Sequence, residues 1–203
     1  FAEHLAKNHD VKLDCITISK KQLEFTKKRI FNAGLNEKVD IKFLDYRDLK
    51  GKYDSIASIE MIEAVGEKYL EKYFATIKDN LKPEGVGAIQ AIIIKDELFE
   101  RYRKNEDFIQ KYIFPGGFLP SLDSIKRHCR KTGLELTSCN SYGTHYSNTL
   151  KEWRGNFIRS WSDISKQGFD LSFKKIWDFY FSYCEAGFKS KNIDLIQFSL
   201  SNK

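Results

Sequence analysis

Cysteine, histidine, proline and methionine are all scarce in this chain of 203 residues, which has four, four, three and one of them. The cysteines, Cys15, Cys129, Cys139 and Cys184, are far apart and form no CxxC pair. This pattern argues against a disulfide scaffold or a zinc site, so we expect no metal and a reducing, cytoplasmic environment. No apolar run is long enough to span a bilayer, so we expect any membrane contact to be peripheral.

Positive charge is in modest excess, because 34 Lys and Arg against 28 Asp and Glu give a net charge of +6. Such a charge suits a nucleic acid, an anionic membrane surface or a plain solvated face. The basic residues are spread over helical stretches, without the clustered cations and stacking aromatics of a nucleic-acid-binding module. We therefore expect no nucleic-acid partner. The length and the 41% hydrophobic content suit one compact α/β domain.

Short β-branched runs alternate with helical patterns along the chain. Ser19 begins the first long helix, with Gln22 three residues later as a capping box, and Gly34 ends it. The alternation predicts a mostly parallel sheet with helices on both faces, in which ligands bind at the carboxyl ends of the strands. The predicted strands are residues 11–17, 39–44, 53–59, 86–94, 134–139 and 193–200, and the predicted helices are residues 1–8, 19–33, 67–81, 121–132, 153–161 and 173–188.

The segment Tyr112–Ser121 (YIFPGGFLPS) is an apolar and aromatic turn with two prolines around a Gly-Gly pair. The prolines fix φ while the glycines permit positive φ, so the backbone path is strongly specified. The apolar side chains Phe114, Phe118 and Leu119 allow two interpretations, a lid over an apolar substrate or a turn packed onto the core. We favour the lid, because surface connections are seldom so apolar.

Six motifs, in order along the chain, resemble those of the cyclopropane-fatty-acyl-phospholipid synthase family, which includes the mycolic acid cyclopropane synthases. Any one of the motifs is weak, but together they cover nearly the whole chain. They are Ile16–Ser19 with Gln22, Asp45–Asp48, Ser58–Gly66, Tyr112–Ser121, His145–Tyr146 with Thr149–Leu150 and Trp153, and Tyr183–Phe188.

The resemblance implies an α/β fold of the class I S-adenosylmethionine-dependent methyltransferases, which is Rossmann-like. The family's first strand and glycine-rich loop would precede Phe1, so we expect the chain to be the C-terminal part of a longer protein. We expect a single methyltransferase domain over residues 1–203, with a lid and helical insertion at about 96–130 and 143–190. Without the glycine loop, the chain alone is expected to bind S-adenosylmethionine poorly.

The implied activity is transfer of a methylene group from S-adenosylmethionine to the cis double bond of unsaturated phospholipid acyl chains, which forms cyclopropane fatty acids. The enzyme would work at the inner face of the membrane, and the sequence leaves open whether it forms a homodimer. Three alternatives remain: methyl branching of fatty acids, N-methylation of a small amine, and lipid binding without catalysis. Amine-methylating relatives often carry a histidine where this chain has Ala64, which disfavours the second.

The catalytic base of the family is a bound bicarbonate, and the resemblance assigns Glu63, Tyr146 and the backbone of Ile92 as its partners. The alternatives are a helix-capping role for Glu63 and a core position for Tyr146. Gln90 stands where some relatives have a histidine. Its amide can orient an anion but cannot exchange a proton near neutral pH. Cys184 is a further catalytic candidate from the family motif, although packing in an apolar helix is the stronger interpretation.

Four residues match positions that contact the adenosine half of the cofactor in the family. They are Thr17, Gln22, Asp45 and Tyr46, and the resemblance places the Tyr46 ring against adenine. The alternatives are a β-branched strand residue for Thr17 and the capping box alone for Gln22.

Overall fold

The computed structural model describes residues 1–202, and its elements follow the alternation of strands and helices expected from the sequence. Contacts between residues divide the chain into two units, Phe1–Gly51 and a second that begins at Lys52. The expectation of a single methyltransferase domain over residues 1–203 stays a prediction.

The first unit is built on two parallel strands. In chain order its elements are α1 (Ala2–Asn8), β1 (Leu13–Thr17), α2 (Lys20–Asn32) and β2 (Val39–Phe43). Leu13 lies opposite Val39 and Thr17 opposite Phe43, so both strands end at the same edge of the sheet. Buried apolar side chains from the helices and from β2 form the core: Ala6, Ile30, Val39 and Ile41. Their burial in one cluster fixes the helices against the strand pair.

The second unit is built on a mixed sheet of four strands in the order β3-β4-β6-β5. The β3 and β4 strands are parallel, whereas β6 pairs antiparallel with both β4 and β5. The elements are β3 (Tyr53–Ile59), α3 (Leu70–Asn80), β4 (Leu81–Ile94), α4 (Asp96–Tyr102), α5 (Phe108–Tyr112), α6 (Leu122–Thr132), β5 (Leu134–Ser141), α7 (Gly143–Arg159), α8 (Trp161–Ser165), α9 (Leu171–Lys189) and β6 (Ile193–Asn202).

Helices cover both faces of this second sheet. A Cβ atom at Gly87 of β4 would lie 3.7 Å from Ile77 of α3. On the same strand, Ile92 packs against a cluster that contains Leu150 of α7 and Phe181 of α9. Positions 87 and 92 differ by an odd number, and side chains alternate between the faces of a strand, so the two sets of helices lie on opposite faces. Side chains at even positions of β4 therefore face α7 and α9.

The start of α7 differs from the expectation because it depends on a tertiary contact. The pattern predicts a helix over residues 153–161, but α7 begins ten residues earlier, at Gly143. The Gly143 N–H donates to Asp194 Oδ1 of β6 over 2.8 Å, which satisfies an N–H at the helix start. A Cβ atom at Gly143 would collide with the same oxygen. The earlier start places Tyr146 in the first turn of the helix.

The start of β4 also differs from the expectation. The predicted strand begins at Val86, whereas β4 begins at Leu81, which pairs with Tyr53. A register shift between Tyr53 and Ser55 accommodates the irregular segment, and Glu84 within it has a φ of 63°. The prolines and glycines of such a segment signal a break, but a bulged strand can pass through it.

Candidate functional site

A sharp turn at the carboxyl end of β3 carries two glutamates. β3 ends at Ile59, and Glu60 has a φ of 49°, in the left-handed region. The Glu60 N–H donates to the Gln90 carbonyl over 2.9 Å, so the pairing with β4 continues one residue into the turn. A short 3-10 helix, Ile62–Ala64, then carries Glu63. The left-handed backbone conformation of Glu60 costs about 1–2 kcal/mol for a residue with a Cβ atom.

The Glu60 carboxylate is held from two directions. Gln90 Nε2 of β4 donates to Glu60 Oε1 over 2.7 Å, and the Tyr146 hydroxyl of α7 donates to Glu60 Oε2 over 3.0 Å. Gln197 Nε2 of β6 donates to Gln90 Oε1 over 2.8 Å. This last contact fixes which end of the Gln90 amide faces Glu60. Two elements, β4 and α7, thus donate to the carboxylate, and β6 orients one of the donors.

Glu63 is the second carboxylate, and its surroundings differ. Its Oε1 accepts the Ile92 N–H over 2.6 Å, while its Oε2 is buried without a hydrogen-bond partner among residues 1–202. Burial raises the pKa of Glu63 to about 7, the Ile92 N–H opposes this, and the charge of Glu60 adds to it. A carboxyl group with such a pKa exchanges a proton near neutral pH, which is common at functional sites.

Tyr146 joins the polar contacts to an apolar surface. Its ring lies 4.9 Å from the Phe188 ring and meets the Trp153 ring edge-on at 6.0 Å. Burial and then the charge of Glu60 raise the pKa of Tyr146, so its hydroxyl stays protonated and able to donate. The surrounding cluster, which we call the aromatic cluster, consists of Leu150, Phe181, Phe188 and Leu195 with Ile92, Phe157, Trp177, Tyr180, Cys184 and Ile193.

Cys184 packs within the aromatic cluster on α9. Burial raises the pKa of its thiol to about 12, with a smaller contribution from the charge of Asp107. The thiolate is the reactive form of cysteine, and at neutral pH this thiol is almost wholly protonated. The geometry therefore gives Cys184 a packing position rather than that of a nucleophile.

The Tyr112–Ser121 segment has one face on the core and one face exposed. The Phe118 ring is buried and lies 5.8 Å from Phe99 and 5.7 Å from Tyr102. The Phe118 N–H donates to the Glu63 carbonyl over 2.8 Å, which ties the segment to the turn that carries the carboxylates. Phe114 is 54% exposed and meets the Tyr180 ring edge-on at 6.1 Å. Phe118 thus packs onto the core, and the lid over an apolar substrate stays a prediction.

Within the first unit, Thr17 and Gln22 contact each other. The Thr17 hydroxyl donates to Gln22 Oε1 over 2.7 Å and accepts the Ser19 N–H over 3.1 Å. Ser19 caps α2 as predicted, because its hydroxyl accepts the Gln22 N–H. The other half of the predicted capping box is wrong, since the Gln22 side chain bonds Thr17 rather than the backbone of Ser19. The polar groups of Thr17 and Gln22 therefore lie together at the carboxyl end of β1.

Asp45 and Tyr46 follow the neighbouring strand β2. The Asp45 carboxylate accepts from Arg47 Nε over 2.9 Å and from Nη2 over 2.7 Å. These contacts hold the pKa of Asp45 below its usual value. Thr17, Gln22, Asp45 and Tyr46 thus supply a hydroxyl, an amide, an ionised carboxylate and an aromatic ring at one strand edge. This set suits a nucleoside, which needs polar partners for its hydroxyls and base edge and a flat apolar contact for the base.

The donors expected for bicarbonate are already engaged by the protein. Gln90 and Tyr146 donate to Glu60, and the Ile92 N–H donates to Glu63. An anion at this position would need those same hydrogen bonds, and it would lie beside two carboxylates that repel it. The residues present therefore do not fit a bound bicarbonate in this arrangement.

Glu60 is the residue that sequence reasoning missed. It lies within the Ser58–Gly66 motif, but neither the resemblance nor the spacing gave it a role. Its signal was its position, because a carboxylate directly after a strand lies at the edge where ligands bind. Among residues 1–202, no cluster of three or more His, Cys, Asp and Glu is arranged to hold a metal. No helix in the same range is long and apolar enough to cross a membrane.

Comparison with known proteins gives concordant matches. A family model described as mycolic acid cyclopropane synthetase matches residues 1–198. The tuberculostearic acid methyltransferase of Mycobacterium tuberculosis is 40% identical over 189 residues, covering 91% of this chain and 44% of the relative. The cyclopropane-fatty-acyl-phospholipid synthase of Escherichia coli is 34% identical over 197 residues, covering 97% and 49%. The chain thus spans about half the length of the curated relatives it matches.

A solved structure resembles the fold over nearly the whole chain. The crystal structure of mycolic acid cyclopropane synthase CmaA1 complexed with SAH and CTAB superposes with a TM-score of 0.88 at 23% sequence identity. The match covers 98% of this chain and 72% of that structure. At this identity the likeness establishes the fold.

Proposed function

The chain belongs to the mycolic acid cyclopropane synthetase family, and we propose that its intact protein transfers a methylene group from S-adenosylmethionine to the cis double bond of unsaturated phospholipid acyl chains. The product would be a cyclopropane fatty acid. The fold is that of a class I S-adenosylmethionine-dependent methyltransferase, so the predictions of family and fold are confirmed.

The observation that carries the proposal is a pair of carboxylates set against the aromatic cluster. An alkene is a poor nucleophile, and the carbocation that it forms is trapped by water. A site for this reaction must therefore be apolar, exclude water and hold a base close to the new methyl group. Glu60 and Glu63 supply carboxylates. Tyr146 donates to Glu60, the Ile92 N–H donates to Glu63, and both Tyr146 and Ile92 pack against the aromatic cluster. The Tyr112–Ser121 segment is tied to the same turn.

The cofactor would be held by Thr17, Gln22, Asp45 and Tyr46 in the first unit. When bound, S-adenosylmethionine supplies an electrophilic methyl group. The Thr17 and Gln22 side chains would bind polar groups of the adenosine, and the Tyr46 ring would lie against the base. Arg47 keeps Asp45 ionised and oriented, so that its carboxylate can accept hydrogen bonds from a hydroxyl or an amino group.

Methyl branching of a fatty acid is the second candidate function. It is favoured by the relative that is 40% identical, which is named a tuberculostearic acid methyltransferase. Branching and ring formation share transfer of a methyl group to an alkene, so the same apolar surface suits both. The chemical form of the product separates the two.

We propose that the protein meets the membrane through exposed aromatic side chains of α5, the following segment and α9. Tyr112 and Phe114 are each 54% exposed, and Phe179 is 51% exposed. Phe108 packs edge-on against Phe179 at 4.6 Å, which joins α5 to α9. Aromatic rings suit the boundary between headgroups and acyl chains, and Lys111 beside Tyr112 suits anionic lipid.

The test uses the intact gene product with S-adenosylmethionine and vesicles of one phospholipid in two forms, one unsaturated and one fully saturated. We expect S-adenosylhomocysteine to form only with the unsaturated vesicles, together with one added CH2 unit per modified chain by mass spectrometry. Equal turnover with both vesicles would contradict the proposal, as would turnover with a small amine alone.

A further inference from the structure

We propose that the Glu60 carboxylate is the general base of this enzyme and occupies the place that the resemblance assigns to bicarbonate. The inference rests on the proposed function, because it names the group that accepts the proton released in that reaction.

The hydrogen bonds at Glu60 carry the argument. Tyr146, which the resemblance assigns to the anion, and Gln90, whose amide can orient an anion, donate to the two oxygens of this one carboxylate over 3.0 Å and 2.7 Å. A carboxylate and a bicarbonate both present two oxygens on a trigonal carbon, so the same donors suit either. The other assigned donor, the Ile92 N–H, is bound to Glu63. The protein thus supplies from its own chain the anion that its donors are arranged to bind.

The backbone conformation at Glu60 also supports this role. Its φ of 49° is strained for any residue with a Cβ atom, whereas glycine adopts it freely. The other residues besides glycine with positive φ, within residues 1–202, are Glu84 and Lys191, and both are exposed. Glu60 is only partly exposed, and its side chain reaches two other elements. Strain of this kind at a partly buried polar contact is typical of functional residues.

The Glu60 carboxylate retains the capacity to accept a proton. Two carboxylate oxygens offer about four acceptor positions, and Gln90 and Tyr146 occupy two of them. Tyr146 on α7, Tyr180 on α9 and Glu63 all have their pKa raised in part by the charge of Glu60. These three groups are acids, so the site resists a second negative charge and disfavours a further bound anion.

The alkene electron pair forms a bond to the methyl carbon, and the bond from that carbon to sulfur breaks with its pair left on sulfur. The other alkene carbon becomes a carbocation. Glu60 takes one proton from the new methyl group, and the released C–H electron pair forms the third side of the ring. The products are the cyclopropane and a protonated Glu60, which returns its proton to solvent.

The experiment compares the wild-type intact protein with Glu60→Gln and Glu60→Gly in buffer stripped of carbon dioxide, with and without added bicarbonate or formate. The wild type should keep its rate within about twofold when bicarbonate is removed. The rate of Glu60→Gln should fall by at least about 100-fold, and neither anion should restore it. The amide is not a base, and it occupies the position that an added anion would need. Glu60→Gly should lose as much but recover at least about tenfold with formate or bicarbonate.

Two results would overturn the inference. One is a wild-type rate that collapses without bicarbonate and returns with it, which would make bicarbonate the base. The other is a Glu60→Gln variant of nearly wild-type rate. Glu60→Gly suits the positive φ, so folding is retained, and the melting temperature of each variant checks this. Glu97→Gln, at an exposed position on α4, controls for loss of one carboxylate. A wild type that forms no product from unsaturated vesicles would instead count against the proposed function.

Discussion

Replacing Glu63 by Gln should make the protein less sensitive to alkaline pH. The wild-type carboxyl group has a pKa of about 7 in the folded protein, raised from 4.5 chiefly by burial. Between pH 4.5 and about pH 7, the folded state therefore holds a proton on Glu63 that the unfolded state has released. This stabilises the folded protein fully below pH 4.5, and the contribution is lost as pH rises through about 7. The Gln variant has no such proton to lose.

The magnitude follows from the shift. One pKa unit corresponds to about 1.4 kcal/mol, so a rise from 4.5 to about 7 amounts to roughly 3 kcal/mol. The amide of the variant places a donor where Oε2 has no partner, which costs about 1–3 kcal/mol at every pH. We therefore compare the free energies of unfolding of the two proteins at two pH values. The cost of the amide is the same at both, so it cancels from the change with pH.

Urea unfolding at pH 5 and pH 8 measures this change. Between these values we expect the free energy of unfolding of Glu63→Gln to rise by roughly 2–3 kcal/mol relative to the wild type. Glu97→Gln, which removes an exposed carboxylate, is the matched control and should show a change of less than about 0.5 kcal/mol. A difference between Glu63→Gln and the wild type that stays constant with pH would refute the assignment of a raised pKa to Glu63.

Three further predictions concern packing. Phe118→Ala should lower stability by about 3–4 kcal/mol because its ring is buried. Phe114→Ala should lower stability by less than about 1 kcal/mol and should instead lower kcat/KM for lipid. Equal losses of stability for the two variants in thermal unfolding would contradict this. Iodoacetamide should label exposed Cys139 before half-buried Cys184, and peptide mass spectrometry showing the reverse order would count against the packing position of Cys184. Gly143→Ala should destabilise the start of α7 by about 1–3 kcal/mol, and unchanged unfolding in urea would contradict the predicted collision.

Local pattern sufficed for the elements whose boundaries depend on their own residues. The strand over residues 53–59 and the helix that ends at Gly133 match the prediction because apolar periodicity and a terminal glycine are local signals. The start of α7 was missed because its cap is Asp194, which is 51 residues away in sequence. No local rule reports a contact across that separation.

In the candidate site, too, the features that depend on local sequence were predicted, and those that depend on distant contacts were not. The carboxyl ends of the strands were expected to carry function. Glu63 follows the end of β3, and Gln90 of β4 pairs with Ile59, the last residue of β3. The sequence could not assign Glu60, because its role depends on a positive φ and on donors from Gln90 and Tyr146 that come from two other elements. Nor could it indicate that the Gln22 side chain bonds Thr17, since both are equally able to contact backbone.

The measurement that tests the central claim most directly is the structure of the lipid product. Phospholipids would be extracted from cells that express the intact gene product or its Tyr146→Phe variant, and their acyl chains examined by mass spectrometry and proton NMR. We predict one added CH2 unit per modified chain with upfield ring protons for the wild type, and a strong loss of both for Tyr146→Phe. Acyl chains unchanged by the wild-type protein would contradict the account.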